Sequence, residues 1–253
     1  MSKIVVFDSG MGSLSIIKPI QKISKYEIIY FADQKNFPYG KKSKSQLKEI
    51  IQNRIKLINK KFEPEIIVLG SNTPTLLFKN LIKKNIIGVT PPLKKAEKIS
   101  KTKNIGILAT ESVVNSKELL QFIKNEQLSQ NTKIFKINAS KLVNLVESGN
   151  FINNPKKCID TIQKLLKTII IKHQIDVITL SSTHLPFLKK YLQKEFPAVK
   201  FIDPGNDIAK LVKKKIKTDL TKNKLCIYTS SNTKTFQKQL SKIDIHNKVN
   251  FLP

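Results

Sequence analysis

Two stretches of the chain carry the same pattern, and that repetition limits the fold more than any other feature. Residues 65–73 read EIIVLGSNT and residues 176–184 read DVITLSSTH, with Pro74 and Pro186 close behind. Each has an acidic residue, four mostly apolar β-formers, small residues and then polar ones. A short apolar run bounded this way is expected to be a buried strand of a parallel sheet. Such sheets bind ligands outside the carboxyl ends of their strands. Ser71 and Ser182 hold equivalent places in the two copies, so two related halves should each deliver a hydroxyl to a pocket.

The surrounding sequence repeats the theme. Residues 3–7 (KIVVF) and 104–108 (NIGIL) read as matching strands, each leading into a polar loop, 8–13 and 109–112. Further strands are expected at 27–31, 86–89, 133–137, 199–202 and 225–228, with a stub at 249–252. Helical spacing begins at Leu14, with Ser13 as its expected N-cap. Ser43 should open an amphipathic helix to about Lys61, with Leu47, Ile50, Ile51, Ile55 and Ile58 on one face. Further helices are expected at about 75–84, 115–125, 142–147 and 155–173, then from the second matched strand through Phe196, from about Ile208 and from Thr233. Between them, residues 32–42 form a turn-rich loop bent at Pro38-Tyr39-Gly40, and Pro91-Pro92 breaks the chain. Strands alternating with helices predict an α/β fold of parallel sheets covered by helices.

Composition narrows the partners. The chain has 253 residues, enough for one large or two small domains with real cores. Its net charge is +28, yet only Arg54 among the 46 basic residues is an arginine. Base reading and bidentate phosphate clamps favour arginine, and single-strand platforms need interleaved aromatics. The lysines are spread along the chain and there is no tryptophan, so they read as solvated faces and nucleic acid is not the expected partner. No apolar run is long enough to span a membrane. The opening, MSKIVVFDSG, enters a strand with no apolar signal core, and a cytoplasmic location is expected. Cys158 and Cys226 have no ligand spacing and read as buried small residues rather than a disulfide or metal pair.

Polar clusters follow the apolar strands at Asp8-Ser9-Gly10, Ser71-Asn72-Thr73, Thr110 and Ser182-Thr183-His184. Hydroxyls, amides and backbone N–H groups so placed make a cradle for a carboxylate. Residues 10–13 (GMGS) lack the third glycine of a dinucleotide fingerprint and the lysine of a P-loop. A bland alternative is a tight turn. His184 is the titratable candidate; His173, at a helix end, reads as structural, and His246 has no evident partner. A hydrolase built from Ser182, His184 and Asp8 is a further reading, although the nucleophile-elbow motif is missing.

Taken together, FDSGMGSLS (7–15), FADQKNFPYGKKS (31–43), GSNT (70–73), IGILATESVVNS (105–116), LVNLVESG (142–149), SSTHLP (181–186) and FIDPGNDIA (201–209) resemble the motifs of the aspartate/glutamate racemase superfamily, and most closely those of the glutamate racemases. The resemblance spans nearly the whole chain. It implies two similar parallel-sheet α/β domains about a pseudo-twofold, residues 1–94 with 206–253 and residues 95–205, with the active site in the cleft between them. It also implies interconversion of L- and D-glutamate or aspartate without a cofactor or metal, as for a step that supplies D-glutamate as a peptidoglycan precursor. One base takes the Cα proton and the other delivers a proton to the opposite face. The catalytic positions would be Ser71, Ser182, Asp8, His184 and Glu147, with Asp8 assisting position 71 and His184 position 182. Ser9, Pro38, Tyr39, Gly40, Asn72, Thr73, Thr110 and Thr183 would hold the substrate. The expected partners are an acidic amino acid and a second copy of the chain.

The family pattern has cysteine where this chain has Ser71 and Ser182. A thiol ionises near ~8.5, whereas an alcohol resembles water at about 15.7. That gap of roughly 7 units, at ~1.36 kcal/mol each, adds up to about 10 kcal/mol to the making of each base. Two-base racemisation should therefore be very slow. Pro74, Ser181 and Leu185 also depart from the pattern, which favours natural divergence over directed replacement of two cysteines. The alternatives are a non-catalytic protein that binds an acidic amino acid or a protein partner, and serine-dependent chemistry requiring a Ser182–His184 hydrogen bond.

Overall fold

The computed structural model describes residues 3–23, 25–83, 85–216 and 221–253. Contacts divide the chain into two compact units, Met1–Val89 with Gly205–Pro253, and Thr90–Pro204. In chain order the first unit begins with β1 (Lys3–Asp8), α1 (Leu14–Ile23), β2 (Glu27–Ala32), α2 (Lys44–Phe62), β3 (Ile66–Leu69), α3 (Asn72–Leu77) and β4 (Ile86–Gly88). The second holds α4 (Leu93–Ile99), β5 (Asn104–Ala109), α5 (Glu111–Val114), α6 (Lys117–Asn125), β6 (Lys133–Asn138), α7 (Ser140–Glu147), α8 (Asn150–Asn153), α9 (Pro155–His173), β7 (Val177–Leu180), α10 (Lys189–Glu195) and β8 (Lys200–Ile202). The chain then returns to the first unit through α11 (Gly205–Lys215), β9 (Lys224–Thr229), α12 (Thr233–Ser241) and β10 (Val249–Phe251).

Both sheets are parallel throughout, with strand orders β10-β9-β2-β1-β3-β4 and β6-β5-β7-β8. The segment β2-β1-β3-β4 and the whole of β6-β5-β7-β8 share one order, so β3 and β7 are equivalent strands. The likeness extends to single bonds. Gly70 N donates to Phe7 O at 2.8 Å and Ser181 N to Leu108 O at 2.9 Å; Asp33 N donates to Asp8 O and Ala139 N to Ala109 O, both at 2.7 Å.

Central strands must be apolar on both faces, and β1 is. Val5 and Phe7 join Phe31, Leu69 and the α2 residues Leu47 and Ile51 in one core cluster, while Ile4 and Val6 are equally buried on the opposite face. The start of α2 is fixed by a capping box: Ser43 Oγ accepts from Gln46 N, and the Gln46 side chain accepts from Ser43 N. α1 buries Leu14, Ile16, Ile17 and Ile20 and packs on α11.

Several local expectations needed correction. Ser13 does not cap α1. Its Oγ is buried without a hydrogen-bond partner, because its side chain lies over Gly70. The helix expected at 75–84 instead starts at Asn72 and ends at Leu77, where Phe78 leaves helical geometry (φ −128°) and a 3-10 turn, Lys79–Leu81, follows. α4, a seven-residue helix behind Pro91-Pro92, and α5, four residues that begin inside the loop expected at 109–112, were not expected as helices; each is at most two turns long. Cys226 is partly exposed on β9, unlike buried Cys158.

Candidate active site

In each unit the chain leaves the first strand toward one neighbour and returns to the other side. β1 lies between β2 and β3, and β5 between β6 and β7. This reversal is where open parallel sheets form a ligand crevice, since the connections part at the carboxyl ends. Asp8-Ser9 and Ser71 stand at that point in the first unit; Thr110 and Ser182 stand there in the second.

In the first unit, Asp8 and Ser9 are buried, and Asp8 Oδ1 accepts from Ser9 N at 2.7 Å. The Tyr30 hydroxyl donates to Gly10 O and holds the following loop. Ser71 is extended (φ −136°, ψ 126°) at the N-cap position of α3, yet its side chain caps nothing. Instead Thr75 Oγ1 donates to Ser71 O at 2.7 Å and accepts from Val89 N at 3.2 Å, pinning the backbone at the strand end. Asn72 and Thr73 follow, both buried, and neither polar atom of the Asn72 side chain has a hydrogen-bond partner. An unpaired buried amide costs about 1–3 kcal/mol per group, a cost that a bound polar ligand removes.

The loop after β2 completes this half. The Phe37-Pro38 peptide is cis, and Tyr39 and Gly40 lie in a 3-10 turn against α3. Tyr39 is buried and its hydroxyl donates to Asp33 Oδ2 at 3.0 Å. Burial, with the negative charges of Asp33 and Asp8 nearby, pushes the Tyr39 phenol well above its usual value, so it remains a proton donor. Asp33 also accepts from Asn36 and Ser230 and pairs with Arg54. Asp33 and Arg54 were not among the expected site residues. The solitary arginine was the available signal, since a planar five-donor group suits a buried carboxylate.

In the second unit Ser182, Thr183 and His184 are all buried behind β7. His184 Nε2 lies 2.9 Å from Glu147 Oε2, and His184 Nδ1 lies 3.5 Å from Ser182 Oγ. Glu147 comes from the last turn of α7, far from β7 in sequence. The neighbouring Ser181 Oγ pairs inward with Thr179 Oγ1 at 2.9 Å, which leaves Ser182 as the hydroxyl aimed at the histidine. Thr110 Oγ1 pairs with Ser112 Oγ at 3.3 Å. The carboxylate that faces His184 Nε2 within the second unit is Glu147.

The remaining candidates lie apart from these strand ends. His173 stacks on Phe135 with ring centroids 4.3 Å apart, and His246 pairs with exposed Asp244 at 3.1 Å. Among the described residues no cluster of three or more His, Cys, Asp or Glu could hold a metal, and no helix is long and apolar enough to cross a membrane.

The fold and these strand ends define an α/β protein of duplicated parallel sheets with a cluster of buried polar side chains at each switch point. No protein-family model matches the chain. Over 225 residues it is 35% identical to the glutamate racemase of Buchnera aphidicola subsp. Schizaphis graminum, covering 83% of each chain. The structure resembles glutamate racemase isoform RacE1 of Bacillus anthracis with a TM-score of 0.87 at 22% identity, covering 100% of this chain and 97% of that one. Escherichia coli glutamate racemase, solved with L-glutamate and the activator UDP-MurNAc-ala, gives a TM-score of 0.84 at 22% identity, covering 99% and 98%. The chain belongs to the glutamate racemase family.

Proposed function

We propose that the chain binds glutamate or aspartate and is a cofactor-independent amino-acid racemase in lineage, with proton transfer at Cα made slow by hydroxyls at Ser71 and Ser182. The observation that carries this reading is the Ser182–His184–Glu147 chain at the end of β7, at the strand position equivalent to Ser71. The carboxylate of Glu147 accepts from His184 Nε2–H, which leaves Nδ1 to exchange a proton with Ser182 Oγ. Asp8 has the corresponding part beside Ser71. Asn72, with two unpaired amide atoms, supports a role in holding the amino acid together with Ser9, Thr73, Thr110, Thr183 and the Pro38-Tyr39-Gly40 turn. A homodimer and a cytoplasmic location belong to the same reading, and light scattering tests the first.

The test is chiral chromatography of L-glutamate and L-aspartate incubated with the unaltered chain and with a Ser71→Cys/Ser182→Cys double variant. An advantage of up to about 10 kcal/mol per base corresponds to several decades in rate. The double variant should therefore racemise at least ~10³-fold faster. If it racemises neither acid, the racemase reading is lost.

A second reading, binding without catalysis, is favoured by the unsatisfied Asn72 amide. Calorimetry with glutamate, together with deuterium exchange at Cα, separates the two. Binding without exchange supports the second reading, and no binding of either acid removes it.

A further inference from the structure

We propose that Ser182 is a general-base-activated nucleophile that accepts small acyl groups from activated esters. The inference does not rest on the racemase reading. It follows from one connected set of side chains in the second unit: Ser182 Oγ lies 3.5 Å from His184 Nδ1, and His184 Nε2 lies 2.9 Å from Glu147 Oε2. An activated serine is recognised by a base within reach and a third group that orients the base. Here the ring is turned so that Nδ1 faces the hydroxyl and Nε2 the carboxylate, the inverse of the usual triad. The logic survives the inversion, because a neutral imidazole has one N–H and one lone pair. Glu147 takes the N–H, so the lone pair faces Ser182. The Ser–His contact is at the long end of hydrogen-bond range, as such pairs often are before a substrate orders them.

Energetics separates this chemistry from proton abstraction. A hydroxyl serving as a base at carbon must first be ionised, at the cost of up to about 10 kcal/mol derived above. A hydroxyl serving as a nucleophile need not be. Its proton passes to the histidine as the new bond forms, and such general-base assistance contributes about 10²–10⁴-fold. The arrangement that is poor for one reaction is thus suited to the other. Ser181 does not compete, because its Oγ is tied to Thr179.

The steps balance without an oxidant or cofactor. Ser182 Oγ bonds to the ester carbonyl carbon while its proton moves to His184 Nδ1. The carbon–oxygen bond to the alcohol or phenol then breaks, and the imidazolium protonates the leaving oxygen. Water attacks the acyl-serine, gives its proton to His184, and the carboxylic acid departs as the proton returns to Ser182.

The experiment incubates the full chain with p-nitrophenyl acetate at near-neutral pH, following nitrophenolate release and mapping the acetyl group by peptide mass spectrometry. The expected result is one acetyl on Ser182, absent in Ser182→Ala and formed at least ~10-fold more slowly in His184→Gln and Glu147→Gln. On the unaltered chain, the acylation rate should rise with pH through a single ionisation that His184→Gln removes. Acetylation confined to lysines, a rate simply proportional to hydroxide, or an unchanged Ser182 rate in both base variants overturns the proposal. Racemisation by the thiol-restored variant is scored separately, so either idea can fail alone.

Discussion

Arg54 Nε lies 3.1 Å from Asp33 Oδ1, and the Asp33 side chain is fully buried. The only arginine of the chain thus anchors the loop that presents Tyr39, and a second nitrogen, Nη1, donates to Pro253 O at 2.6 Å. The Arg54 guanidinium also stands 5.8 Å from the Phe31 ring centroid. Removing one partner of a buried pair leaves an uncompensated charge, at a cost of about 3–5 kcal/mol. Arg54→Ala should lower stability by that amount in urea unfolding, and Arg54→Lys should restore little, because an ammonium cannot reproduce the planar fork. If Arg54→Lys matches the unaltered chain, the fork geometry is irrelevant.

Acid should weaken the second unit through Asp176. Burial raises its carboxyl, but bonds from Ser100 Oγ (2.6 Å), Lys101 N (2.6 Å) and the Thr102 N and Oγ1 together outweigh burial and hold it below its ordinary value. A folded value below the unfolded one stabilises the protein above the unfolded value, about 3.9, and that contribution is lost as pH falls through the folded value. Asp176→Asn should therefore be less stable at neutral pH, with the difference shrinking below about pH 4. Urea midpoints across the acid range read this directly, and a difference independent of pH contradicts it.

The floor of the Ser71 strand end depends on a missing side chain. A Cβ at Gly70 would collide with Ser13 Cβ and lie 2.8 Å from Ser13 Oγ and 3.2 Å from Phe7 O. Overpacking of this kind costs about 1–3 kcal/mol. Gly70→Ala should lose that much in thermal or urea unfolding, and Ser13→Gly added to it should recover part of the loss. Equal stability of Gly70→Ala and the unaltered chain would mean that the backbone yields without cost.

Much of this architecture was legible in the linear chain. The short continuous apolar runs between turn residues located β1, β2, β3, β5 and β7, because a strand buried on both faces must be written in apolar residues. The equivalence of Ser71 and Ser182 was likewise readable, and the strand orders bear it out. The sequence determined which polar residues stand at strand ends, since that depends on local pattern. Which carboxylate backs His184, why Ser13 fails to cap α1, and how Arg54 reaches Asp33 were decided only in three dimensions. Those contacts join residues brought together by strand order and helix packing, and neither their distance nor their direction is written in the spacing along the chain.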